Sequence, residues 1–227
     1  MAKAPDPAAA AKLTIGQITA VLRRARRRGD RADKAARIQA ALRTEHLGQP
    51  AVVTSAYAAS VRALVTVLGT LEAQVTGLQQ EVEAHFGEHP AAEIILSQPG
   101  LGPVLGARVL AEFGDDSRRY ASAKARKNYA GTSPVTRASG KKKIVAARFV
   151  RNDRLIDALM AQAATAIRWS PGARAYYDKQ RAREVDYNAA LRQVANRLVG
   201  ILHGCLKTGT LYDEATAWSL QSGSRAA

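Results

Sequence analysis

Ser139 stands inside a dense run of cations, with Arg137 before it and Gly140, Lys141, Lys142 and Lys143 after it. A serine hydroxyl can attack a phosphodiester under three conditions. It must be exposed, cations must hold the phosphate and balance the developing charge, and its proton must have somewhere to go. The sequence supplies the first two through a turn-forming Ser-Gly pair and a cationic frame that extends to Arg148 and Arg151. No histidine or carboxylate lies close by in sequence to serve the third. A plain turn residue is the competing reading of Ser139.

A second feature lies upstream. Pro99-Gly100-Leu101-Gly102 separates two apolar helical patterns, and Pro103 suits the first position of the helix that follows. Glycine at 100 and 102 would let backbone N–H groups approach a phosphate closely, and the next helix would point its positive end there, with Arg108 one turn on. Such a helix-hairpin-helix grips a backbone without reading bases. An ordinary αα-hairpin has the same form. A two-metal nuclease would need convergent carboxylates. Asp115 and Asp116 follow Gly114 at a helix end, and Asp153 and Asp157 share one helix face, so none of them makes a metal site. No phosphate-loop, zinc or dinucleotide pattern is present.

The charge distribution fits the same chemistry. The chain of 227 residues carries a formal net charge of +15, and the excess comes in blocks. Residues 1–50 carry eleven cations against four acids, 51–98 one against five, 99–150 eleven against three, and 151–227 eleven against seven. Two basic regions flanking an acidic one suit nucleic-acid contacts separated by a protein–protein element. The single cysteine, Cys205, excludes an internal disulfide framework. The start is a poor secretory signal, and the most apolar stretch, 51–69, is interrupted by Arg62, so neither secretion nor a membrane span is expected.

The elements that must position these groups read as mostly helical. Ile15, Ile18, Leu22 and Ala25 mark one face of a helix over 15–28 whose remainder is arginine, with Arg23, Arg24 and Arg27 expected on nucleic acid. Asp30 can cap a second helix reaching about His46. From Tyr57 to Val82, apolar residues recur at alternating steps of 4 and 3. Val61, Leu68, Val75 and Val82 take a positions, and Tyr57, Leu64, Leu71 and Leu78 take d positions, the pattern of a two-stranded coiled coil. A long core helix is the other reading. Further helices are expected over 91–97, 103–113, 122–130, 155–167, 171–183 and 187–206, with Asp186 capping the last. Residues 132–149 lose helical periodicity and read as an irregular loop or short β-hairpin.

Several segments together resemble the C-terminal transposase domain of the IS110 insertion-sequence family. They are PGLGPVLGARVLAEFGD from Pro99, YAGTSP over 129–134, RASGK around Ser139, VRNDRL over 150–155, NRLVGILHGCL from Asn196, and YDEATAW near the end. The arginine-rich helices and heptads resemble the linker and coiled coil of the same family. The resemblance implies a recombinase of double-stranded DNA guided by a bridge RNA, with Ser139 as a nucleophile forming a phosphoserine link. It also implies a partner RuvC-like domain with a DEDD magnesium site, and assembly as dimers or tetramers. Asn152 and Asp153 stand where an Arg-Gly-Asn form is more usual, which puts that turn in question.

The expected organisation is an arginine-rich linker over 1–50, a coiled-coil helix over 51–90, the transposase C-terminal domain over 91–218 and a disordered tail over 219–227. The chain is expected to lack the DEDD domain, to hold no cofactor itself, to bind duplex DNA and guide RNA in a bacterial cytoplasm, and to oligomerise through 57–82. The alternative is a non-catalytic helix-hairpin-helix protein that binds DNA or RNA.

Overall fold

A computed structural model describes residues 3–27, 29–45, 47–116 and 118–219. Its contacts divide the chain into two compact units, 1–77 and 78–227. The fold is mostly α with one antiparallel β-hairpin.

In the first unit, α1 (Pro7–Ala11), α2 (Ile15–Arg24) and α3 (Arg31–Arg43) pack around Ile18 and Ala35. Thr14 and Gln17 form a reciprocal capping box on α2. Asp30 caps α3 as expected, accepting from the N–H groups of Ala32 and Asp33. Gln39 Nε2 ties α3 back to the Leu13 carbonyl at 2.8 Å. The helix expected over 15–28 stops at Arg24, because Arg26 takes a left-handed φ of +50°. Arg28 and His46 lie outside the described residues.

Helix α4 (Ala51–Gly87) is one continuous rod. Its heptad residues Tyr57, Leu64, Leu68, Leu71, Val75 and Leu78 are all exposed. By length and composition α4 is also apolar enough to cross a membrane. Arg62, Glu72, Gln74, Gln79 and Gln80 lie off the heptad seam, and so do the exposed Val52 and Val67.

The second unit holds α5 (Ala92–Ser97), α6 (Pro103–Phe113), α7 (Ala123–Tyr129), β1 (Val135–Ser139), β2 (Lys142–Ala146), α8 (Asp153–Trp169), α9 (Pro171–Arg181), α10 (Tyr187–Thr208) and α11 (Glu214–Trp218). Helix α8 is central and packs on α6, α9 and α10. Leu155, Leu159, Val194, Leu198 and Leu202 form the buried middle, and Ala158, Ala163 and Ala166 let neighbouring helices come close. Trp218 of α11 lies on Gly172, where an added Cβ would overlap the indole at 2.2 Å. A hydrogen-bonded clasp fixes the same corner. Glu214 Oε1 accepts from Ser170 Oγ at 3.0 Å and from the Gly172 N–H at 2.7 Å, while Trp218 Nε1 donates to Tyr212 Oη at 2.8 Å. Asp186 occupies the expected N-cap of α10, but its side chain makes no capping bond, so α10 starts on packing instead.

Candidate nucleic-acid interface

The basic segment folds as a two-stranded hairpin. Its register pairs Val135 with Ala146, Thr136 with Val145, Arg137 with Ile144, Ala138 with Lys143, and Ser139 with Lys142. Directly paired side chains share a face, and faces alternate along a strand. Ser139, Lys142 and Arg137 therefore sit on one side, with Cβ atoms of the direct pair about 5 Å apart. Gly140 and Lys141 close the turn, and Gly140 has a φ of +53°, as the first position of a tight hairpin turn of this kind wants. Ser139 and every described residue of the tip are exposed. Phe149, beyond β2, is 94% exposed.

The root of the hairpin is built firmly. Thr132 Oγ1 donates to Asn196 Oδ1 of α10 at 3.1 Å, and Arg148 Nη2 donates to Asn128 Oδ1 of α7 at 3.3 Å. Gly131, at φ +70°, lets the Arg151 side chain pass where a Cβ would lie 2.5 Å from its own Cβ. Arg151 pairs with Asp153 at 3.0 Å. Asn152 settles the VRND turn: it caps α8 through the Leu155 N–H at 3.1 Å and donates to Glu112 of α6 at 2.7 Å. Arg148 and Arg151 thus have structural work at the root, whereas Arg137, Lys141 and Lys142 are exposed beyond it.

The glycine turn is placed elsewhere. Gly100 has a φ of +83°, and a Cβ there would lie 2.4 Å from the Gln162 carbonyl oxygen. Gln162 Nε2 donates to the Pro99 carbonyl at 3.3 Å. Close approach to α8 is therefore sufficient reason for glycine at 100. Gly102 is exposed at the N-cap of α6, with no side-chain cap on that helix end. Arg108 is exposed on α6. The turn meets α8 at Gln162 and Ala166, whereas the hairpin enters α8 at Asp153. At 1.5 Å per residue these roots lie about 14–20 Å apart along the helix. The hairpin is thus rooted at the first residue of α8, and the glycine turn along the second half of that helix. Arg23, Arg24 and Arg27 are exposed in the first unit.

Residues 92–178 hold the glycine turn, the hairpin and α8, and they match the Transposase IS116/IS110/IS902 family. Residues 92–178 are a transposase domain of that family. The chain is similar to the mini-circle putative transposase for IS117 of Streptomyces coelicolor, with 44% identity over 216 residues, covering 95% of this chain and 52% of that protein. It is also similar to an uncharacterised 42 kDa protein of insertion element IS900 from Mycobacterium paratuberculosis, at 36% over 73% of this chain and 40% of the relative. An uncharacterised 43.6 kDa protein of IS110 from Streptomyces coelicolor is 30% identical over 67% of this chain and 38% of its own length. The chain spans about half the length of the curated relatives it matches, or less.

Helix α7, within the matched residues, and α10, beyond them, bring together cations that the sequence alone did not single out. Arg126 and Lys127 of α7 face Arg197, His203 and Lys207 of α10, and burial together with mutual repulsion depresses several of them. Burial lowers the Lys127 pKa, and Arg197 adds to the effect. Burial, then Arg126, Lys207 and Lys127, hold His203 below its ordinary value. A spacing signal was present, since Asn196, Gly200, His203 and Lys207 recur every three or four residues along α10. Among the described residues, no three His, Cys, Asp or Glu side chains gather as a metal site.

Proposed function

We propose that this chain is the nucleic-acid-binding, C-terminal part of a serine-using DNA transposase, and that Ser139 is its nucleophile. The supporting observation is the register that sets Ser139 opposite Lys142 and beside Arg137 on an exposed hairpin. Two cations flank one hydroxyl on the same face of the hairpin. In the proposed step Ser139 Oγ attacks phosphorus, a P–O(Ser) bond forms, and the P–O3′ bond of the strand breaks. The serine proton passes to a base outside the hairpin, which returns it to the departing 3′ oxygen, so that this leaves as a hydroxyl. Strand transfer reverses these bonds with a different 3′ hydroxyl. The family resemblance supplies the direction of this chemistry, and the bridge-RNA guide comes from the same source.

A DEDD magnesium site does not fit the described residues of this chain, because they gather no carboxylate cluster. A RuvC-like domain would supply that chemistry. The exposed seam of α4 is proposed to pair with a second copy, as β-branched a and leucine d positions favour. The working site would be the bacterial cytoplasm.

The test is binding followed by transfer. The chain should retard duplex DNA with steep salt dependence, and Ser139→Ala should abolish strand transfer in a protein that carries the DEDD domain. Normal transfer by that variant would remove the serine from the mechanism. A non-catalytic binder would retard DNA equally but form no covalent adduct.

A further inference from the structure

Four cations and the His203 imidazole meet where α7 packs on α10, and no acid among the described residues forms an ion pair with them. Arg126 is only 2% exposed, and its Nε and Nη1 are buried without a hydrogen-bond partner. Its guanidinium lies 4.8 Å from the Tyr120 ring centre and 5.1 Å from that of Phe113. Aromatic faces favour the cation but accept no hydrogen bonds in the guanidinium plane. His203 Nδ1 and Arg197 Nε are buried without partners as well. Lys127 lies across Gly200, where an added Cβ would stand 2.8 Å from its Cε and 2.9 Å from its Nζ. Neither Lys127 nor Lys207 forms an ion pair within the described residues.

Space for a ligand adjoins this cluster. A cavity of about 700 Å³ opens against Lys127, Arg197, Gly200, Gly204, Thr208 and Thr210. The single acid on its wall, Asp213, is engaged as the cap of α11 through the Thr216 N–H at 2.8 Å. Buried cations are ordinarily paired, because an uncompensated charge in a low-dielectric setting is costly. Several cations around one space call for a ligand with more than one negative charge or several acceptor oxygens, and guanidinium geometry matches phosphate.

We propose that the groove between α7 and α10 is a phosphate-binding site, in which Lys127 and Arg197 on its wall hold a phosphate oxyanion, with Arg126, His203 and Lys207 close enough to Lys127 to add to the positive potential. Its natural source, a backbone phosphodiester, rests on the nucleic-acid reading above. The hairpin root is nearby along α10, since Asn196, one helical turn before Gly200, accepts the Thr132 hydroxyl at 3.1 Å. A strand held by Arg137 and Lys142 would run on into this groove.

The experiment follows the His203 imidazole by NMR titration of the full chain, with His203→Phe assigning its signal. Inorganic pyrophosphate, and separately a short duplex oligonucleotide, are added. An anion in the groove should raise the His203 pKa, by about one unit for a close pairing, and raise the thermal midpoint. Lys127→Gln with Lys207→Gln should remove both effects while leaving the fold intact by circular dichroism. A response to both ligands supports the site with nucleic acid as its source. A response to pyrophosphate alone, without duplex binding on a gel, supports the site with free phosphate as ligand and overturns the nucleic-acid reading. Duplex binding on a gel with His203 unmoved by either ligand overturns this site and leaves the hairpin reading standing.

Discussion

Ser139 and Lys142 face one another as a direct cross-strand pair, held in register by the two-residue turn at Gly140 and Lys141. Because the side-chain period of a strand is two, a slip of one residue would turn Ser139 and Arg137 to the face opposite Lys142. The hairpin turn is thus as important to the proposed site as the charged residues.

Replacing Lys142 with Gln should weaken duplex binding uniformly across sequences and reduce the slope of log K against log salt by about 1, as loss of one phosphate contact does. Fluorescence anisotropy over a salt series measures it. An unchanged slope would place Lys142 outside the contact.

The two glycines of the upstream turn should behave differently. Gly100→Ala forces a Cβ into the Gln162 carbonyl at a left-handed φ, so it should cost on the order of 3 kcal/mol. Gly102→Ala meets open space and changes only an N-cap, so it should cost about 0.5–1 kcal/mol. Urea denaturation of both variants gives the comparison, and equal losses would contradict the packing account of Gly100.

Protonation should also be visible in stability. The folded-state pKa of His203 lies below its ordinary value, first because of burial and then because of Arg126, Lys207 and Lys127. The unfolded chain therefore binds the proton more readily. The stability tied to a neutral His203 is fully present above about pH 6.5 and is lost as pH falls from there through the lower folded value. His203→Phe should flatten the thermal midpoint over that window, and an unchanged profile would show that His203 is not the group responsible.

Tyr212 offers the opposite case. Burial, and then its bond to Glu214, raise its pKa to about 12. Its contribution is intact below about pH 10 and is lost as pH rises toward 12. Tyr212→Phe should cost about 1–3 kcal/mol, since Trp218 Nε1 loses its acceptor in a half-buried corner. Chemical denaturation at pH 7 reads the loss, and a neutral substitution would show that the clasp does not hold α11.

Much of the architecture could be read where local signals agree. Pro103 and Gly114 bracket α6 as expected, Asp30 and Ser122 cap the helices that follow them, and the cationic segment broke helical periodicity because it is a hairpin. Arg26 ended α2 early through a backbone conformation that residue type does not announce. Helix α11 was missed because five residues are too short for a period, and it is held by Gly172 and Glu214 rather than by its own pattern. The position of the glycine turn relative to the hairpin was not legible either, since it depends on how α6 and α8 pack. The α7–α10 cations stayed hidden for a similar reason. Arg126 and His203 are far apart in sequence, and only the packing of α7 on α10 brings them together.

The most direct measurement is covalent trapping on DNA, in a transposase that joins this chain to the DEDD carboxylates, followed by peptide mapping. The account predicts a phosphoserine link at Ser139 that disappears in Ser139→Ala together with strand transfer. A link at another residue, or full transfer by the alanine variant, would contradict it.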